Sequence, residues 1–271
     1  MKSEFVLKNI DGIWFGLVPA LYERGIKHAF TSKFYGESVL EDKRLNMSFN
    51  VGDSEDCVLA NRRRVCAALG IDFERLTAAR QAHGDNRVYV DEGLLGRGNK
   101  NFAGAIAAAD ALVTDLPGVP LLLLFADCVP VVLADPAKKL VAVVHAGWRG
   151  TTANVLRKTA EAFRDEFSSR PKDCVAVIGP SIGPECYKVG REVYRAARDN
   201  LSDYQKFFQP AGENEWQFDL WQANKAQLEM AGVKTENIFI SGICTKCHRE
   251  LFFSHRAEKG RAGRFAAIAW L

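Results

Sequence analysis

Three apolar runs, Leu121 to Phe125, Val129 to Ala134 and Leu140 to Val144, follow one another with only Ala126-Asp127-Cys128 and the segment 135–139 (DPAKK) between them. Runs this short, rich in Val and Leu and bounded by turn residues, read as strands buried on both faces. Connections this short leave no room for crossover helices. The chain is therefore expected to build antiparallel or mixed sheet rather than a regular βαβ winding. Further strands are expected at Arg87 to Val90, Ala111 to Thr114, Val175 to Ile178, Ile238 to Ile240 and Phe265 to Trp270, and His28 begins another.

Helical spacing appears between these strands. Leu156, Ala160, Phe163 and Phe167 share one face of a segment opening at Thr151 and Thr152, two residues suited to an N-cap. Other helices are expected from Val58 to Leu69 ahead of Gly70, from about Val189 to Asn200, and from Leu220 to Met230 ahead of Gly232. The expected fold class is α/β, a layered mixed β-sheet sandwich covered by helices. Since no repeat or low-complexity linker interrupts it, residues 1–271 read as a single domain.

Charge narrows the partners. A net charge of +3, with no Lys/Arg stripe interleaved with aromatics, argues against a dedicated nucleic-acid surface. The apolar runs stop too early to cross a bilayer, and Glu4, Lys8 and Asp11 break up any apolar leader, so a cytoplasmic protein with no membrane association is expected. Seven scattered cysteines, an odd number, do not form a disulfide framework.

Two of only five histidines stand beside glycine at apparent strand ends, in Gln81-Ala-His83-Gly and His145-Ala-Gly-Trp-Arg149-Gly, and Cys128 sits at a strand break between them. A rigid sheet presents side chains to a cleft at such ends. Two imidazoles and a thiolate suit zinc, and three protein ligands with a fourth position open are the catalytic rather than the structural pattern. Two alternatives stand beside this: three ordinary packing residues, or a metal-free Cys128 nucleophile with His145 as its base, serving a hydrolase or deamidase. Arg149, next to a strand-to-helix junction, is a candidate anion holder, and Asp127 a candidate orienting group or proton carrier. Cys244-Thr-Lys-Cys247-His248 spells a haem attachment site, which requires export; a redox pair, an extra metal site or plain structural use remain for it. The Gly179–Pro184 loop is rigid enough to line a pocket, and His255 reads as a cap or packing residue.

Taken together, QAHG, ADCVPV, HAGWRG, GPSIGPECYKV and the closing CT…FFSHR…GR…AWL, preceded by LNMSFNVGD and NRRRV, resemble in order the signature of the YfiH family. The resemblance spans nearly the whole chain. It implies a zinc enzyme that cleaves purine nucleosides (adenosine, inosine, S-methyl-5′-thioadenosine) with phosphate to a free base and a ribose 1-phosphate, with adenosine deaminase side activity. It implies His83, Cys128 and His145 as both metal ligands and catalytic centre. Arg149, and less strongly Arg62, are the expected phosphate or substrate contacts. Lys33, in Thr31-Ser-Lys33-Phe-Tyr-Gly, stands where the family usually shows an Arg; it keeps the charge without the planar fork, which weakens a substrate contact there. Glu185 replaces a frequent Cys and Ala257 a frequent Arg. The family's older polyphenol-oxidase name fits poorly with five His and three Met, far short of a multicopper centre. A single Cu2+ in the same three-ligand site is the alternative occupant to Zn2+.

Overall fold

The computed structural model describes residues 4–39 and 44–271. Two six-stranded sheets lie face to face. The first runs in the order Val6–Ile10, Ile13–Leu17, Lys27–Thr31, Phe265–Trp270, Leu121–Phe125, Thr77–Ala78; the second runs Ile238–Ile240, Val175–Ile178, Val129–Asp135, Leu140–Ala146, Ala111–Thr114, Arg87–Tyr89. Both are mixed, because Thr77–Ala78, Ile238–Ile240 and Arg87–Tyr89 pair parallel to their neighbours while the remaining pairs are antiparallel.

Strand alternation assigns each apolar residue to a layer. In Val129–Asp135, Val132 and Ala134 face the first sheet, where they meet Leu121, Leu123, Phe125, Phe265 and Ala267. Val131 and Leu133 face the other way, onto Leu156, Ala160 and Phe163 of the helix Val155–Phe167 and onto Ala223 and Leu228 of the helix Leu220–Met230. The outer face of the first sheet, with Ile13, Phe15, Leu122 and Ile268, is covered by Val65 and Cys66 of the helix Glu55–Leu69. The layers thus run helix, sheet, sheet, helices. Each fully buried Val, Leu or Phe in these layers contributes roughly 1.5–3 kcal/mol, so strands buried on both faces dominate the core.

Several expectations need adjusting. The DPAKK turn makes the expected hairpin, with Asp135 opposite Leu140. Ala126-Asp127-Cys128 does not: Leu121–Phe125 belongs to the first sheet and Val129–Asp135 to the second, so this tripeptide carries the chain from one sheet to the other. Asp127 takes the left-handed φ of 85° that the corner requires. The helix expected to open at Thr151 and Thr152 is two helices, Trp148–Thr152 and Val155–Phe167, separated by Asn154 at φ 61°. Both threonines close the first rather than cap the second. The helix expected from Val189 starts at Arg191, because Lys188–Gly190 pairs with Glu215–Phe218 in a small third sheet completed by Phe208–Gly212. Leu220–Met230 has the expected bounds. Among the described residues, no helix is long and apolar enough to cross a membrane.

Candidate metal centre

Topology brings His83, Cys128 and His145 to one edge. Thr77–Ala78 runs parallel to Leu121–Phe125, so both strands leave the first sheet at the same end and their following loops, carrying His83 and Cys128, cross to the second sheet side by side. In the second sheet Ala146 pairs with Val129, which sets His145 next to the start of the strand that follows Cys128. Gln81 fixes the first loop by pairing like a strand residue with Leu124: its side-chain amide donates to the Leu124 carbonyl (2.8 Å) and its oxygen accepts the Leu124 N–H (2.9 Å). His83 itself sits at φ 60°, a left-handed backbone that turns its ring back toward the other two.

The candidate ligand atoms of His83, Cys128 and His145 all lie within 4.8 Å of one another. The imidazoles meet edge to face with ring centroids 4.8 Å apart. Exposure is graded across the site: His145 is buried, Cys128 half-buried and His83 exposed. Two nitrogens and one sulfur in this envelope fit a shared zinc or copper ion, with one side of the site left open to a cavity. Gly147 keeps that space clear. A Cβ there would stand 3.1 Å from Cys128 Sγ and 3.4 Å from His83 Cδ2.

A residue not singled out in the sequence organises the site. Asp110, buried just before the strand Ala111–Thr114, accepts the Nδ1–H of His145 (2.8 Å) and the amide of His83 (3.0 Å) on Oδ1, and the amides of Ala82 (3.1 Å) and Gly84 (2.8 Å) on Oδ2. A carboxylate on Nδ1 keeps that proton in place and leaves Nε2 free to bind a metal. Burial pushes the Asp110 carboxyl up, but the His145 hydrogen bond and charge and the loop amides outweigh it and hold it below the usual carboxylate range. In the metal-free chain burial also raises the Cys128 thiol, yet the neighbouring His145 and His83 bring it down to about 6. Burial opposes charge on His145, while the Cys128 thiolate and Asp110 raise it to about 9. Without metal, these opposed shifts favour a thiolate beside an imidazolium at neutral pH.

The site opens into a cavity of about 470 Å³ whose wall includes Phe49, Phe102, Trp148 and Tyr187 together with Arg62, Arg80, Arg149, Arg256 and Arg264. Arg149 stacks on Trp148 (4.1 Å) and pairs with exposed Glu192 at 3.4 Å, a contact worth ~0–1 kcal/mol that an anion could displace. Arg62 is buried, with Nε donating to the Met47 carbonyl (2.9 Å) and Nη1 to those of Gly98 (2.6 Å) and Asn99 (3.3 Å), so much of its fork is committed to holding the wall. Lys33 does not line the cavity: it is buried, its amide bound to the Leu251 carbonyl and its Nζ over the Phe253 ring at 5.9 Å. Asp127 lines the cavity, but its carboxylate accepts the Thr245 hydroxyl (2.6 Å) and the Arg256 amide (2.7 Å), which pin the corner before Cys128. His255, read from the sequence as a cap or packing residue, lines the cavity, as does Ile182 of the 179–184 loop.

Arg80, Arg256 and Arg264 were not legible in the sequence as cavity residues. The Nε of Arg80 is buried with no hydrogen-bond partner among the described residues, the state of a donor awaiting an acceptor.

Residues 27–271 match the family model described as multi-copper polyphenol oxidoreductase laccase. The chain is 37% identical over 245 residues, 90% of its length and 89% of the relative's, to a Geobacillus stearothermophilus protein named purine nucleoside phosphorylase YlmD. It is 35% identical, over 81% of its length and 84% of the relative's, to a protein named adenosine deaminase RL5 from an unknown prokaryotic organism. The crystal structure of YlmD from Geobacillus stearothermophilus superposes with a TM-score of 0.93 at 34% identity over 98% of both chains, and that of Bacillus licheniformis YfiH with 0.92 at 35% identity, over 95% of this chain and 96% of that one. The chain belongs to the YfiH/YlmD family, the family of the laccase-like model.

Proposed function

We propose that this protein is a metal-dependent purine nucleoside phosphorylase acting in the cytoplasm, with adenosine deaminase side activity, and that His83, Cys128 and His145 hold its metal. The observation that carries this reading is the cavity itself: one wall is the two-histidine, one-cysteine cluster and the rest combines aromatic rings with five arginines. A purine needs flat apolar surface, and phosphate needs guanidinium groups. Zinc is the occupant the donor set suits best, with copper the competitor.

In phosphorolysis a phosphate oxygen bonds to ribose C1′ while the bond from C1′ to the base nitrogen breaks and leaves its electron pair on the base, which then takes a proton. The chain must hold a dianion beside the ribose and orient both partners. Arg149 and Arg80 offer guanidinium groups for the phosphate, and Arg256 and Arg264 add positive charge along the same wall. Trp148, Tyr187 and Phe102 provide surfaces for the base. Asp110 holds His145 by Nδ1 and the His83 loop by its amides, which keeps the ligand set fixed through turnover. When bound, the metal supplies Lewis acidity toward the purine or toward a water. The test is to incubate the purified protein with adenosine in the presence and absence of phosphate. Adenine and ribose 1-phosphate forming only with phosphate support the reading; inosine alone, formed without phosphate, would make deamination the principal reaction.

A second reading, a metal-free Cys128 hydrolase or deamidase, is favoured by one observation, the lowered Cys128 thiol beside a raised His145. It requires full activity after chelation and loss of activity on alkylation of Cys128.

A further inference from the structure

Cys244-Thr-Lys-Cys247 takes no part in the cavity chemistry, yet the fold brings a third cysteine to it. The sulfur atoms of Cys186, Cys244 and Cys247 all lie within 4.8 Å of one another, and those of Cys186 and Cys247 are 3.4 Å apart. Cys186 arrives on the turn Pro184–Cys186 and the other two on the turn following Ile238–Ile240. Backbone bonds set this approach: the Ser181 amide donates to the Ile243 carbonyl (3.2 Å) and the Thr245 amide to the Ser181 carbonyl (3.0 Å). The amide of His248 donates to the Cys244 carbonyl (2.9 Å), closing the turn that turns the Cys244 and Cys247 sulfurs toward Cys186.

The surroundings favour thiolate at Cys244 alone, since burial and the adjoining sulfurs push the Cys186 thiol up to about 12 in the metal-free chain, where an ion must displace its proton. Cys244 is buried, and its sulfur accepts the Gly183 N–H at 3.2 Å, with the Cys247 N–H directed at the same atom. Amides aimed at sulfur stabilise its charged form. Cys247 is exposed, which gives an ion access from solvent. A disulfide between Cys186 and Cys247 would need a two-electron oxidant and would leave Cys244 outside the bond.

We propose that Cys186, Cys244 and Cys247 form a second metal site, a three-thiolate pocket for a soft d10 cation, zinc or copper(I). All-sulfur donors select such ions over magnesium, calcium or manganese, and each thiol releases its proton to solvent on binding. The ion ties together two turns that build the cavity wall. Tyr187 follows Cys186 and lines the cavity; Thr245 follows Cys244 and donates to Asp127, the residue before Cys128. The site is thus a staple behind the first centre, and it stands independently of the reaction assigned to the cavity.

The test is metal analysis of the full-length protein purified under reducing conditions without chelator, in wild type, Cys128→Ala and Cys247→Ser. Wild type is expected to carry two equivalents and each variant one; the element found, zinc or copper, names the occupant. Cobalt(II) added to metal-stripped Cys128→Ala is expected to give thiolate-to-cobalt charge-transfer absorption, lost when Cys247→Ser is added. Cys247 is exposed, so its replacement leaves the core intact, and circular dichroism verifies that. Equal metal content in wild type and Cys247→Ser overturns the proposal. A Cys186–Cys247 disulfide in non-reducing peptide maps of the freshly purified protein does so as well.

Discussion

Asp110 accepts the ring N–H of His145 and the backbone N–H of His83 on the same carboxylate oxygen, at 2.8 and 3.0 Å. One buried anion therefore positions two of the three candidate ligands, though it is 35 and 27 residues away from them in the chain. Its second oxygen holds the amides of Ala82 and Gly84.

Asp110→Asn replaces an acceptor-only group with one that must turn an NH2 toward N–H donors. Groups that orient metal ligands typically change affinity by about 10–100-fold when lost, and chelator competition is expected to show a fall in that range. Melting as a function of pH adds a sign. Because the carboxyl is held below its usual range, its contribution to stability is intact above the unfolded-chain value and disappears as pH falls through the lowered pKa. Asp110→Asn is expected to lack that acid-side component, and an unchanged acid profile would contradict the role.

Gly147→Ala tests the empty space at the centre. The φ of −70° accommodates any residue, so the backbone is not strained, but the new Cβ would lie 3.1 Å from Cys128 Sγ. Activity and metal affinity are expected to fall at least about tenfold, a loss of ~1.4 kcal/mol, with Tm shifting by less than about 4 °C. A large Tm loss with metal affinity intact would mean that Gly147 serves packing alone.

Arg80→Gln tests the proposed phosphate contact through a guanidinium whose Nε is buried and has no partner among the described residues. A charge-assisted hydrogen bond is worth roughly 1.5–3 kcal/mol. Steady-state kinetics should therefore show KM for phosphate rising by about 10–100-fold, with KM for the nucleoside changing far less. Equal rises in both would place Arg80 outside the phosphate contacts.

Alkylation of the metal-free chain reports the Cys128 and His145 pair. With the thiol lowered to about 6, the rate of Cys128 modification should already be near its maximum at neutral pH and fall as pH drops through about 6. His145→Ala removes the largest opposing charge, so the midpoint should move upward. A wild-type midpoint near that of an ordinary thiol would contradict the ion pair, and so would a midpoint unmoved by His145→Ala.

The parts of this structure legible in the sequence are those set by local pattern. Leu220–Met230 has periodic apolar residues and a glycine beyond its end, and the three Val/Leu runs, short and bounded by turn residues, read as strands. His83, Cys128 and His145 stand out because polar ligand types flanked by glycine or a strand break are conspicuous. Asp110 follows three alanines and gains its role only when the 82–84 loop folds over it, an event with no local signature. The sheet-to-sheet crossing at Asp127 has the same origin, since an Ala-Asp-Cys turn serves a hairpin or a crossover equally well and the packing of Leu121–Phe125 against Phe265–Trp270 decides between them. The arginines of the cavity come from four separate segments, and no spacing connects them. Polar strands such as Phe208–Gly212, with Pro210 inside, carry too little hydrophobic alternation to be read as strands at all.

The most direct test of the central claim is metal content measured beside phosphate-dependent adenine release in wild type and Cys128→Ala. Cys128→Ala is expected to lose one equivalent of metal and all base release together while retaining the wild-type circular dichroism spectrum. A Cys128→Ala protein that keeps the full wild-type metal content, or that releases adenine at the wild-type rate, would contradict it.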